Sequence, residues 1–185
     1  MMLIGITGYS GSGKSTLANL ISNEYQNSKV LHIDEVGHEV LRLPEVIEEI
    51  KKSFGEDIAR EGFVNRKLLG DIVFNSRHEM DKLTEITWNA MQVIIDKEID
   101  ENKGILILDW LLLPHTKYFN MCDLKIMVDV PFEERMRRAI ARDGISDEKF
   151  RLRDSASIDL SEFTYDVIVN DVLKEDVRKL VKVYE

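Results

Sequence analysis

The sequence predicts an α/β fold of the P-loop NTPase type, in which a parallel five-stranded sheet is flanked by helices. Short apolar runs rich in β-branched residues alternate along the chain with segments of helical periodicity. A glycine-rich phosphate-loop pattern directly follows the first apolar run. With 185 residues, of which 44% are hydrophobic, the chain is long enough to bury one sizeable core. Alternating strands and helices favour parallel strands joined by right-handed crossovers.

Five apolar runs predict the strands, since short continuous runs are typical of a parallel sheet that is buried on both faces. The predicted strands are residues 3–7, 30–33, 105–108, 124–130 and 165–169. Between and after them, apolar residues recurring at about 3.6-residue spacing predict helices. The predicted helices are residues 14–23, 80–99, 132–142, 146–154 and 173–183.

The segment between the first strand and the first helix, GYSGSGKS at residues 8–15, fits the pattern G-x-x-x-x-G-K-[ST]. In this pattern backbone N–H groups surround phosphate oxygens, the lysine contacts the β- and γ-phosphates, and the last hydroxyl binds Mg²⁺. The alternative is a chance match in a Gly/Ser-rich turn, which the strand before and the helix after disfavour. The predicted ATP-binding residues of this segment are Gly8, Gly11, Ser12, Gly13, Lys14, Ser15 and Thr16.

Two helical subregions interrupt the alternation of strands and helices. Residues 36–102 form a stretch several times longer than a typical crossover, with turn signals at Phe54-Gly55 and Glu61-Gly62. We interpret it as an insertion that holds the phosphoryl acceptor. Residues 132–157 predict a helical hairpin around Asp143-Gly144, which is a candidate lid. No repeat or linker is evident, so we interpret residues 1–185 as one domain.

Polar residues at the strand ends are the next candidates, because ligands bind beyond the carboxyl ends of parallel strands. Asp109 ends the third strand, as in a Walker B strand, and is predicted to bind Mg²⁺ together with Ser15. Asp34 ends the second strand and is predicted to be the general base that accepts the proton of the attacking hydroxyl. Its alternative role is to cap a helix beginning near Val36. Asn170 ends the fifth strand and is assigned to the ATP site.

Six arginines lie in residues 135–153, and Arg135, Arg138 and Arg142 share one helical face. We predict that Arg138 binds ATP and that Arg142 is catalytic, since guanidinium groups on a lid would neutralise the transferring phosphoryl group. The alternative is a solvated face whose arginines pair with nearby acidic residues. We expect that arrangement for Arg135 and Arg137.

Composition narrows the possible partners and location. The 34 acidic and 25 basic residues give a net charge of −9, which argues against a nucleic-acid partner. No apolar run reaches the roughly 18 to 20 residues of a membrane span, and the first residues, MMLIGI, lack the basic flank of a signal peptide. A cytoplasmic protein is therefore expected. We also expect a monomer or a small homo-oligomer. The single cysteine, Cys122, is expected to have a packing role.

Seven segments, in family order, resemble those of dephospho-coenzyme A kinases, and the resemblance runs along nearly the whole chain. They are ITGYSGSGKST (6–16), IDEVGHEVL (33–41), FG (54–55), GFVNRKLLGDIVF (62–74), ILILDWLLL (105–113), MVDVPFEERMRRAIARDGIS (127–146) and DVIVN (166–170). The resemblance implies Mg²⁺- and ATP-dependent phosphorylation of the ribose 3′-hydroxyl of dephospho-coenzyme A. It implies the roles of base for Asp34, phosphate and Mg²⁺ ligands for Lys14 and Ser15, and lid arginine for Arg142. It also places Arg66 in the acceptor-binding region.

Three segments depart from the family's usual pattern. The chain has Trp88-Asn89 in place of His-Pro, and Ser157 in place of a glutamine. Leu111 to His115 stand where the family usually has Pro-Leu-Leu and then a glutamate. All three fall on the acceptor or lid side. Two alternatives therefore accompany this interpretation, namely a nucleoside or nucleotide kinase with another small acceptor and a non-catalytic ATP-binding regulator.

Overall fold

The computed structural model describes residues 1–73, 76–155, 157–172 and 177–182. The described strands are β1 (Met2–Thr7), β2 (Ser28–His32), β3 (Ala59–Arg60), β4 (Phe63–Val64), β5 (Ile105–Asp109), β6 (Leu124–Val128) and β7 (Val167–Val169). The described helices are α1 (Lys14–Glu24), α2 (Ile33–Val40), α3 (Pro44–Phe54), α4 (Arg66–Val73), α5 (Arg77–Glu101), α6 (Lys117–Met121), α7 (Phe132–Asp143), α8 (Asp147–Ser155) and α9 (Val177–Lys182). Short 3₁₀ helices span Glu56–Ile58 and Leu113–His115. In this part of the chain, no helix has both the length and the apolar character needed to cross a membrane.

The chain divides into two compact units, one comprising Met1–His32 with Asn102–Glu185 and the other Ile33–Glu101. In the first unit, five parallel strands form a sheet in the order β2-β5-β1-β6-β7, which confirms the predicted sheet. Asp109 at the end of β5 is level with Ile6 of β1 on one side and with His32 of β2 on the other. The ends of these three strands therefore meet at one edge, where the P-loop also begins.

A continuous apolar core fixes the position of α1 against the sheet. Helix α1 buries Leu17, Ala18 and Ile21 against apolar residues of β1, β5 and β6. The buried Cys122 thiol donates a hydrogen bond to the Tyr118 carbonyl at 3.2 Å, and burial raises the pKa of this thiol to about 12. Cys122 thus has the predicted packing role.

The second unit is helical apart from one small hairpin. Helix α5 packs against α2, α3 and α4. Strands β3 and β4 pair in antiparallel fashion around Glu61 and Gly62, both of which have positive φ, so the turn signal predicted there is confirmed. The buried side chains of these helices include Val36, Val40, Ile47, Ile50, Leu69, Met91, Ile95 and Ile99. This unit covers nearly the same residues as the insertion expected at 36–102.

The boundary between β2 and α2 differs from the sequence prediction. Strand β2 ends at His32 and α2 begins at Ile33, so Asp34 lies in the first turn of a helix instead of ending the strand. Ile33 is fully buried as a helix residue, which explains why its apolar character looked like part of the strand. The alternative prediction, a helix that starts near Val36 and is capped by Asp34, is therefore wrong. Parts of the last predicted helix, residues 173–176 and 183, lie outside the described residues.

Candidate active site

The P-loop has a backbone that only glycine adopts without strain. Gly8, Gly11 and Gly13 have φ values of 148°, 78° and 102°. A Cβ on Gly11 would lie 2.3 Å from the Arg135 carbonyl oxygen, and one on Gly8 would lie 2.4 Å from the Val128 carbonyl oxygen. Helix α1 begins at Lys14, directly after Gly13, so its N-terminus adds a favourable dipole for an anion. The loop is therefore built to bring backbone N–H groups close to phosphate.

Side chains of the loop are arranged for the same purpose. Lys14 Nζ donates to the Tyr9 carbonyl at 3.3 Å, which places its charge across the loop. The Ser12 hydroxyl is buried and has no hydrogen-bond partner among the described residues. Leaving such a group unsatisfied costs about 1–3 kcal/mol, so a ligand oxygen is the natural partner. Ser15 and Thr16 lie exposed in the first turn of α1.

Asp109 is the centre of a small polar cluster at the end of β5. Its side chain is 5% exposed, and Oδ2 accepts hydrogen bonds from Ser15 Oγ at 2.6 Å and from His32 Nδ1 at 2.8 Å. Oδ1 is buried and has no partner within the described part of the chain. A carboxylate with one unsatisfied oxygen beside a hydroxyl fits Mg²⁺, which binds one or two protein oxygens and completes its shell with water and phosphate.

His32 belongs to the candidate site, although the sequence did not point to it. The predicted second strand ends at Ile33, which makes Asp34, and not His32, the polar residue at its end. The register pairs His32 with Asp109, and its hydrogen bond holds one oxygen of the carboxylate in place. A polar residue at a strand end was the available signal. Its partner, however, depends on which strands are neighbours.

Two arginines of α7 contact the P-loop region. Arg138 Nη1 donates to the Ser12 carbonyl at 3.2 Å, and Nη2 pairs with Glu134. Arg135 was expected on a solvated face, and this expectation is wrong. It is 6% exposed, and its guanidinium donates to Asp154 Oδ1 at 2.6 Å. Arg137 is 78% exposed, within 4.0 Å of Glu134, as expected for the solvated side.

Arg142 forms an ion pair at the end of α7. Its Nε donates to Asp143 Oδ1 at 2.7 Å, and its side chain is 63% exposed. Asp143 also lies 3.6 Å from Arg153. The hydrogen bond from Arg142 lowers the pKa of the Asp143 carboxyl. The pairing considered as the alternative to a lid role is therefore present in this structure.

Asn170 and the departures from the family pattern have local partners. Asn170 Nδ2 donates to the Asp129 carbonyl at 3.0 Å beyond the end of β7. The Leu111 carbonyl accepts a hydrogen bond from Thr7 Oγ1 at 2.9 Å, and the His115 ring lies edge-on to Phe163 at 5.0 Å. The Ser157 amide donates to the Asp154 carbonyl at 3.0 Å. Each of these contacts stabilises the first unit.

The second unit holds Asp34, Arg66 and the segment Trp88-Asn89. Asp34 is exposed in the first turn of α2. Arg66 Nη2 donates to His38 Nε2 at 2.9 Å. Trp88 and Asn89 lie in α5, where Asn89 lines a groove between α3 and α5. A pocket of about 160 Å³ beside Arg66 is lined by His38, Leu41, Arg42, Phe63, Val64 and Arg66. Two guanidinium groups and an exposed aromatic ring suit an anion that carries a flat ring.

Comparisons with known proteins agree along the full chain. The dephospho-CoA kinase family model matches residues 2–176. The dephospho-CoA kinase of Aquifex aeolicus is 34% identical over 194 residues, covering 100% of this chain and 97% of that protein. The solved dephospho-CoA kinase from Campylobacter jejuni is 25% identical with a TM-score of 0.67, covering 98% of this chain and 94% of its own.

A second solved structure, TT1252 from Thermus thermophilus, is also 25% identical, with a TM-score of 0.79 over 98% of this chain and 93% of its own. The matches therefore include both the P-loop unit and the helical unit. The close-packed glycines of the P-loop and the hydrogen bond between Ser15 and Asp109 agree with these similarities. The chain belongs to the dephospho-CoA kinase family of ATP-dependent phosphotransferases.

Proposed function

We propose that this protein transfers the γ-phosphate of ATP to the ribose 3′-hydroxyl of dephospho-CoA, giving CoA and ADP. The observation that carries the proposal is the preformed donor site, in which buried Ser12 Oγ and Asp109 Oδ1 have no hydrogen-bond partner among the described residues. Full-length similarity to dephospho-CoA kinases supports the choice of acceptor. A cytoplasmic monomer or small homo-oligomer is part of the same proposal.

On the donor side, the P-loop residues bind the triphosphate. Backbone N–H groups of the loop and the N-terminus of α1 bind phosphate oxygens. Lys14 exchanges its contact with the Tyr9 carbonyl for the β- and γ-phosphate oxygens. Ser15 and Asp109 would hold Mg²⁺, which neutralises phosphate charge when bound. Arg138 and Asn170 complete the proposed ATP site.

On the acceptor side, Asp34 accepts the proton of the attacking 3′-hydroxyl while the oxygen of that hydroxyl bonds to the γ-phosphorus. The bond between that phosphorus and the bridging oxygen breaks, and ADP leaves. Asp34 follows the end of β2 by two residues, and its carboxylate is exposed and accessible to a substrate. Arg66 and the pocket beside it would bind the anionic part of dephospho-CoA.

The direct test is an acceptor panel with purified protein and Mg-ATP. We expect ADP formation to depend on added dephospho-CoA, with nucleosides and nucleoside monophosphates giving far lower kcat/KM. Chelating Mg²⁺ should stop the reaction. Preference for a nucleoside monophosphate would instead support the nucleotide kinase alternative. ATP binding without any acceptor-dependent turnover would support the regulator.

Arg66→Ala is expected to raise KM for dephospho-CoA by about 10-fold or more, because a hydrogen bond to a charged group contributes about 1.5–3 kcal/mol. The KM for ATP should change little. The matched control is Lys67→Ala, which removes the neighbouring exposed charge of α4. If both variants have the same acceptor KM as the wild type, Arg66 does not bind the acceptor.

Arg142→Ala is expected to lower kcat by about 10-fold, since the proposed contact to the transferring phosphoryl group contributes about 1.5 kcal/mol or more. Opening the ion pair with Asp143 is inexpensive, because exposed pairs contribute only about 0–1 kcal/mol. ATP affinity of the acceptor-free enzyme should hardly change. Steady-state kinetics beside Arg137→Ala provide the control, and equally small effects in both variants would exclude a lid role.

A further inference from the structure

Three consecutive P-loop residues, Tyr9, Ser10 and Gly11, contact Arg135. The Arg135 guanidinium lies 4.8 Å from the centre of the Tyr9 ring, and its Nη1 donates to the Ser10 carbonyl at 3.4 Å. Gly11 is so close to the Arg135 backbone that an added Cβ would lie 2.3 Å from its carbonyl oxygen. Arg135 therefore contacts the first half of the loop at three points, which are the Tyr9 ring, the Ser10 carbonyl and the Gly11 backbone.

The Arg135 guanidinium also forms an ion pair with helix α8. Nη1 and Nη2 of Arg135 reach the two carboxylate oxygens of Asp154 in α8, at 2.6 Å and 3.4 Å. Nε donates to the Val130 carbonyl at 3.1 Å. The Arg135 side chain is 7% exposed and the Asp154 side chain 18% exposed, so this ion pair is largely removed from solvent. Apolar residues of similar volume often give equal or greater stability, so stability alone does not explain the pair.

The geometry of the peptide bond connects these contacts to ATP. In a trans peptide, the carbonyl of one residue and the N–H of the next point in opposite directions. A Ser10 carbonyl held toward the Arg135 guanidinium therefore directs the Gly11 N–H away from that guanidinium. Arg138 has the same effect on the peptide that joins Ser12 and Gly13. Its hydrogen bond to the Ser12 carbonyl directs the Gly13 N–H away from the Arg138 guanidinium.

We propose that Arg135 is a positioning residue for ATP, which, fixed by Asp154, holds the Ser10 carbonyl outward so that the loop's N–H groups face the phosphates. The proposal rests on the proposed function only in that ATP occupies the P-loop. It extends the nucleotide site to α8, a helix with no predicted ATP-binding residue. The competing explanation is that Arg135 and Asp154 only hold α7 and α8 together.

The experiment separates positioning from stability. In Arg135→Met with Asp154→Leu, both charges are replaced by apolar side chains of similar size, so the Tm without nucleotide should stay within a few degrees of wild type. We expect the Kd for the non-hydrolysable analogue AMP-PNP, measured by calorimetry without acceptor, to rise about 10-fold. KM for the acceptor should not change. Arg137→Met on the exposed side of α7 is the matched control and should bind like wild type.

A second variant decides the matter if the double variant does not fold. Arg135→Lys keeps the positive charge for Asp154, but an ammonium group cannot reach Asp154, Val130 and Ser10 in one planar arrangement. It should also weaken AMP-PNP binding. Wild-type affinity in Arg135→Lys, or in a double variant of wild-type Tm, overturns the proposal. Failure of the proposed function would appear separately, in the acceptor panel of the wild-type protein.

Discussion

Lys14→Ala is expected to lower kcat/KM for ATP by about 10²- to 10³-fold or more, the usual effect of removing one preorganised group that stabilises developing charge. Lys14 is the cation of the P-loop itself, and its Nζ already lies across the loop at 3.3 Å from the Tyr9 carbonyl. The loss should appear in both ATP binding and turnover, because the β- and γ-phosphates carry several negative charges.

The fold should survive this substitution. Helix α1 is held by Leu17, Ala18 and Ile21, and none of these contacts involves the Lys14 charge. Initial rates at varied ATP and the Tm of the free protein are the measurements. Asn19→Ala, at an exposed position of the same helix, is the control for helix stability. A Lys14→Ala enzyme with nearly wild-type kcat/KM would contradict the phosphate-loop assignment.

The central strands could be predicted because they are buried on both faces. β1 and β5 are continuous apolar runs, and their predicted ends lie within one residue of the observed ones. β2 was harder because it lies at the edge of the sheet and begins with the polar pair Ser28-Lys29. At its other end, Ile33 is buried in α2, and apolar character alone does not distinguish a strand residue from the buried start of a helix.

The candidate donor site was predictable where its residues are contiguous or end a strand. The P-loop is one segment of sequence, and Asp109 follows an apolar run. The contacts that sequence reasoning missed join residues far apart in the chain. His32 meets Asp109 only because β2 and β5 are neighbours, and Arg135 meets Asp154 only because α7 and α8 pack together.

Helical spacing correctly placed Arg135, Arg138 and Arg142 on one face, but it does not say which face is buried. The face is buried near its N-terminal end, where Arg135 lies against the P-loop. It is exposed near its C-terminal end, where Arg142 pairs with Asp143. The environment of each arginine therefore follows from the position of α7 on the P-loop, which the local sequence does not determine.

Asp34→Asn is expected to lower kcat by about 10²- to 10⁴-fold, the usual contribution of a positioned general base. Asparagine keeps the size of the side chain but cannot take the proton of the attacking hydroxyl. The Kd for ATP should change by only a few-fold, since the residues of the proposed donor site belong to the first unit and Asp34 does not. Binding and chemistry should thus separate in calorimetry and steady-state kinetics.

Asp34 also has a structural role to consider, because an acidic residue in the first turn of a helix stabilises it by about 0.3–1 kcal/mol. Glu35 occupies the same turn of α2, so Glu35→Gln removes a comparable dipole interaction without removing the proposed base. We expect similar small changes of Tm in Asp34→Asn and Glu35→Gln, with the fall in kcat confined to Asp34→Asn. Equal kcat in the two variants, with equal loss of Tm, would show that Asp34 stabilises the start of α2 and takes no proton.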